Sequence, residues 1–204
     1  MHTRIPAFLD ELRAAPTREL FLAHSQPLRA GSFREACLQT SEMLTTAELP
    51  QGSVIVLSAP PGPQFLVACC AAWLRRCVVL WADDRAPAAS LRKLAVRFEA
   101  TAIWQVASTG GLADGLPGPP HFTGFSAKLW PEACAIKLTS GSSGVPNGIL
   151  VTGAQLESDG RALAQVMQFG QADRILASVP MSHSYGFSVL ALPALYSGSK
   201  IILP

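Results

Sequence analysis

The chain has 204 residues, 16 Lys and Arg against 14 Asp and Glu, and a formal net charge of +2. It is 49% apolar and 15% charged, which excludes a disordered chain, since disorder needs high charge and little apolar content. A charge this close to zero also removes any bulk electrostatic case for nucleic acid or an acidic membrane as partner.

Residues 1–30 are mixed and read as an N-terminal segment without a secretory signal, because Arg4, Asp10, Glu11 and Arg13 interrupt any apolar core. The run Ser32-Phe33-Arg34-Glu35 has the form of a capping box, and Phe33, Cys37, Thr40 and Leu44 then recur on one helical face. Ser53–Ser58 is a continuous β-branched run, the pattern of a strand buried on both faces. After Pro60-Pro61-Gly62 the spacing predicts a helix to about Arg76 and a strand over Cys77–Ala82. Phe65–Ala82 is the most apolar stretch, but Arg75 and Arg76 divide it into pieces too short to span a bilayer. A helix over Pro87–Phe98 and a strand over Ala102–Val106 follow. Ser108–Trp130 is rich in Gly and Pro and reads as a loop or linker.

Beyond it the alternation resumes. Strands are predicted at Cys134–Thr139 and Ile149–Thr152, and a helix capped by Thr152 and Gln155 runs to Gly170. A strand at Arg174–Val179, an apolar helix over Tyr185–Tyr196 and a strand at Ser199–Leu203 complete the pattern. Strands alternating with helices predict an α/β fold, with mostly parallel βαβ sheet layers and helices on both faces. The organisation read from this is a first α/β block over 31–107, a loop over 108–130 and a second block over 131–204, incomplete at its C-terminal end. The five cysteines form no C-x-x-C pair and are odd in number, so buried thiols in a reducing cytosol are expected.

The stretch with most chemical content is Lys137–Val151, KLTSGSSGVPNGILV. Closely spaced glycines let backbone N–H groups converge, and Ser and Thr hydroxyls add donors, a combination suited to phosphate oxygens. It is not a Walker A loop, because no Gly-Lys-Ser/Thr follows, and not a G-x-S-x-G nucleophile elbow. A Gly/Ser turn without a ligand is the plain alternative. The segment runs on through Pro146 and Gly148 into a strand, and a second unusual cluster follows at Val179-Pro180-Met181-Ser182-His183-Ser184-Tyr185-Gly186.

Together these segments resemble the adenylate-forming enzymes, which include acyl-CoA synthetases, luciferase-like ligases and nonribosomal peptide adenylation domains. Thr139 to Gly148 matches that family's T-S-G-[ST]-[ST]-G-x-P-K-G loop except at Asn147, where the family has Lys. Pro180, His183 and Gly186 match its P-x-x-H-x-x-G element. The resemblance implies a fold like the N-terminal part of the family's large domain. It also implies a function: ATP activates a carboxylic acid as an acyl-adenylate, which then passes to the thiol of coenzyme A or of a carrier phosphopantetheine. On this reading Thr139, Ser140, Gly141, Ser142, Ser143, Gly144, Asn147 and Gly148 hold ATP phosphates. His183, Tyr185 and Gly186 border the acid; Gly186, Phe187, Val189 and Leu190 point to an apolar acyl or aryl group, and the same residues would equally serve as ordinary core. A Mg2+ ion would be held by residues outside this chain, and no residue here receives a catalytic role. An acyl carrier protein is a possible partner class; nucleic acid and a membrane span are not expected, and the location expected is cytoplasmic.

The family's later motifs do not occur in the sequence, so the chain reads as an N-terminal fragment expected to be inactive alone. Two other readings stay open: a non-catalytic relative that binds nucleotide or a partner only, and an unrelated α/β nucleotide-binding or hydrolase-like domain. A glycine loop joining two strands would exclude the Walker-type form of the latter.

Overall fold

The computed structural model describes residues 5–23, 26–106, 116–128, 130, 132–139 and 146–203. Its first element is helix α1 (Ile5–Ala14), followed by strands β1 (Glu19–Ala23) and β2 (Gln26–Arg29) and helix α2 (Ala30–Thr46). A β–α alternation follows: β3 (Val54–Ser58), α3 (Pro63–Leu74), β4 (Val78–Ala82), α4 (Ala88–Arg97) and β5 (Ala102–Gln105). A short strand β6 (His121–Phe122) lies within the Gly/Pro-rich stretch. Next come β7 (Ala133–Thr139), β8 (Asn147–Thr152), α5 (Gly153–Val166) and β9 (Arg174–Leu176). A π-helical turn over Gly186–Ala191 leads into α6 (Leu192–Ser197) and β10 (Lys200–Leu203).

Six strands form one sheet in the order β6-β5-β3-β4-β7-β8, in which β5, β3, β4 and β7 run parallel. The edge strands β6 and β8 are antiparallel to their neighbours. The central strands are buried on both faces, as their unbroken apolar runs predict. Ile55, Leu57, Val79 and Trp81 face the larger core, whereas Val54, Val56, Val78 and Leu80 face the smaller one beneath Leu91 and Ala95 of α4. The β2-β1-β10-β9 sheet is separate, and β10 runs parallel to both β1 and β9.

The apolar excess is concentrated in α3, whose residues from Pro63 to Trp73 are all buried. This helix contributes to the larger core together with α2, β4 and the π-helical turn. Trp73 Nε1 donates to the Cys134 carbonyl at 2.7 Å, which ties α3 to β7. No helix among the described residues is long and apolar enough to cross a membrane.

Local chemistry explains where sequence spacing and structure agree or part. The predicted cap of α5 is present: Thr152 Oγ1 accepts from the Gln155 N–H, and Gln155 Oε1 accepts from the Thr152 N–H. The capping box read at Ser32 is not formed. Helix α2 begins at Ala30 behind Arg29, so Ser32 and Glu35 already lie inside it. The Ala30 N–H donates instead to the Arg18 carbonyl, and the Gly31 N–H to the Pro16 carbonyl. Long-range backbone acceptors therefore replace a local cap.

Candidate active site

The carboxyl ends of β4 and β7 lie side by side, since Val79 and Leu80 pair with Ala135 and Ile136. A cleft of about 570 Å³ opens there, where parallel sheets characteristically place ligands. One wall is Trp81 and Asp83 with Lys137, Leu138 and Thr139; the other is Val179, Pro180, Ser182, His183 and Ser184.

On the sheet side, Ser58 Oγ donates to the Asp83 carbonyl at 3.1 Å and joins the ends of β3 and β4. Asp83 Oδ1 accepts from the Arg85 N–H at 2.8 Å, so this carboxylate caps its own turn. Lys137 Nζ donates to Ser188 Oγ at 2.7 Å and stands 5.9 Å from the centroid of the Trp81 ring. Burial holds the Lys137 ammonium below the ordinary lysine range, because the charged form has lost solvent; the charge of Asp159 opposes this more weakly.

The opposite wall is a folded turn. The His183 N–H donates to the Pro180 carbonyl, and the His183 carbonyl accepts from the Phe187 N–H. His183 Nδ1 accepts from the Tyr185 N–H at 3.3 Å, so the neutral ring carries its proton on Nε2. Gly186 is required by close packing: a Cβ there would lie 2.2 Å from the Pro180 oxygen and 2.6 Å from that of Val179. The chain then widens into the π-helical turn, a feature frequent at functional sites. Pro193 follows directly in α6; it cannot donate to Val189, and its ring would press on that carbonyl in a regular α-turn.

Thr139 and His183 thus share one cleft. Thr139 Oγ1 donates to the Asn147 carbonyl at 3.5 Å across the β7–β8 pair. Ser140, Gly141, Ser142, Ser143 and Gly144 lie outside the described residues. The strands flanking them pair antiparallel, Thr139 with Asn147 and Leu138 with Gly148. The segment therefore joins two strands, which excludes the Walker-type arrangement. Asn147 Oδ1 accepts from Arg97 Nη2 at 3.4 Å. Gly148 is packed tightly, since a Cβ would meet Phe98 at 2.5 Å and Ile136 at 2.8 Å. Tyr185 is half exposed and Gly186 is buried, and neither is among the residues that line the cleft.

Phe187, which suggested an apolar acyl pocket, is a core residue. Its ring centroid lies 4.5 Å from that of Trp81, 6.0 Å from Trp73 and 6.2 Å from Phe65. The sequence pattern assigned no role to Lys137, Trp81 or Ser188. The available signal was Lys137 itself, a lone cation in the run ACAIKLT. Among the described residues no group of three or more His, Cys, Asp and Glu could hold a metal ion.

A family model described as AMP-binding enzyme matches residues 10–204. Sulfoacetate–CoA ligase from Cupriavidus necator is 33% identical over 133 residues, which cover 63% of this chain and 25% of that protein. Among solved structures, the N-terminal subdomain of NpsA from Klebsiella oxytoca, in complex with 3-hydroxybenzoyl-AMSN, superposes with a TM-score of 0.76 at 15% identity. It covers 98% of this chain and 53% of the other. O-succinylbenzoate coenzyme A synthetase from Bacillus subtilis, in complex with AMP, gives 0.77 at 15% identity, over 96% and 55%. The chain therefore spans about half the length of these solved relatives, and their fold is its fold. A family match running from the first helix to the last residue, on that fold, means that the chain belongs to the AMP-binding enzyme family.

Proposed function

We propose that the protein carrying this chain activates a carboxylic acid with ATP and passes the acyl group to a thiol. The observation that carries this reading is the shared cleft, with Thr139, the first residue of the loop motif, on one wall and His183 on the other. A carboxylate is a poor electrophile, and adenylation gives it a good leaving group. The work left to the protein is positioning and charge stabilisation. Backbone N–H groups and polar side chains of Thr139, Ser140, Gly141, Ser142, Ser143, Gly144, Asn147 and Gly148 would receive the ATP phosphates. The acid would lie in the cleft against His183, with Tyr185 and Gly186 shaping the adjoining turn. Mg2+ would screen the phosphate charge, held by residues other than those described here. The similarity to a sulfoacetate–CoA ligase favours coenzyme A as the thiol, and a carrier phosphopantetheine is the alternative acceptor.

ATP–pyrophosphate exchange with a panel of carboxylic acids tests the first step. Acid-dependent exchange is expected. Nucleotide binding without exchange for any acid would replace this reading with that of a nucleotide-binding relative.

A further inference from the structure

The cleft holds one cation, Lys137, among its lining residues. Lys137 is two residues before Thr139 on β7, so both side chains leave the strand on the same side, and both line the cleft. An ammonium has three N–H donors and no acceptor. Ser188 Oγ takes one of them, and the Trp81 ring offers its face. Among the described residues no carboxylate lies within 4.0 Å of Lys137 Nζ. Asp83, the carboxylate on the same cleft wall, is turned to the Arg85 N–H. The lysine is half buried; Asp159 acts on it only from beyond ion-pair distance, and a charge buried without a counter-ion in direct contact is costly. An anion entering the cleft would supply the missing partner, and Ser188 and Trp81 hold the ammonium in place to meet it.

We propose that Lys137, positioned by Ser188, binds a second anionic group on the acid substrate, a sulfonate or a second carboxylate. This rests on the acid-activation reading of the same cleft and departs from the apolar acyl group that the sequence suggested. The rival role for Lys137 is contact with ATP phosphates, since it lies two residues before the glycine loop.

The test is ATP–pyrophosphate exchange by the protein carrying this chain, with sulfoacetate, succinate and butyrate as the acids. The wild type should favour one or both of the dianionic acids over butyrate, and which one it favours separates sulfonate from carboxylate. Lys137→Met should lower the dianion-to-butyrate ratio of kcat/KM by about 10- to 100-fold, the scale of one hydrogen bond to a charged group. The loss should fall mainly on the KM for the acid, with the KM for ATP unchanged. Lys137→Arg should keep most of the preference. Should Lys137→Met fail to fold, Ser188→Ala gives the same reading with a smaller loss. Exchange with butyrate alone, or an unmoved ratio, would overturn the proposal while leaving acid activation standing. A raised KM for ATP would assign Lys137 to the phosphates instead. No exchange with any acid would remove acid activation and this inference together.

Discussion

The α-carbon of Gly186 faces the carbonyl oxygen of Pro180 so closely that a Cβ would sit 2.2 Å from it. The oxygen is backbone, held by the His183 N–H, so it cannot swing aside as a side chain could. Gly186→Ala must therefore move the turn that carries His183. The expected cost is about 1–3 kcal/mol, the range for overpacking a tight site, read as a lower urea midpoint. Unchanged stability would mean that the turn is looser than described.

Asn147 gives a second prediction. A neutral amide stands where the resembling loops have lysine, and its oxygen accepts from Arg97. If this position serves the phosphates, Asn147→Lys should tighten ATP about three- to tenfold, because charge-assisted contacts are roughly twice as strong as neutral ones. The gain is limited by the neighbouring guanidinium, which repels the new ammonium. Titration with ATP decides it, and an unmoved Kd would take Asn147 out of the phosphate site.

The thiols should be silent in the folded protein. All five cysteines are buried and free. Burial pushes Cys77 and Cys134 up to about 12 and raises Cys37 and Cys69 well above the ordinary thiol range. The thiolate is the reactive form, so at pH 8 a disulfide reagent should label none of them quickly, and all five after denaturation. Rapid labelling of one native thiol would reveal local opening at that element.

Acid should loosen the small sheet through one ion pair. Glu19 of β1 is hydrogen-bonded to the Lys200 ammonium of β10, and this lowers its pKa below the ordinary value of 4.5. The folded value lies below the unfolded one, so the stabilisation is present above pH 4.5 and is lost as pH falls through the folded value. Glu19→Gln should therefore have a lower Tm than wild type at neutral pH, and the gap should close on acidification. A gap that does not change with pH would exclude this pair as its cause.

Much of the fold was legible locally. The runs Ser53–Ser58 and Cys77–Ala82 read as strands buried on both faces, and Thr152 with Gln155 marked the start of α5, because each pattern is set by residues a few positions apart. The motif spacing from Thr139 to Gly148 and from Pro180 to Gly186 likewise identified the family. Sequence could not show that β1 would pair with β10, about 180 residues away. Nor could it show that α2 would be capped by the carbonyls of Pro16 and Arg18 in place of Ser32. Periodicity records which face of an element is apolar, not which distant element covers it. The same limit hid Lys137. Along the chain it is one cation in a strand; only the packing of β7 against Trp81 and the π-helical turn places its charge in the cleft beside Ser188. The sequence by itself determined the family, through the motif from Thr139 to Gly148, whereas the tertiary structure alone put a half-buried ammonium where the acid is proposed to bind.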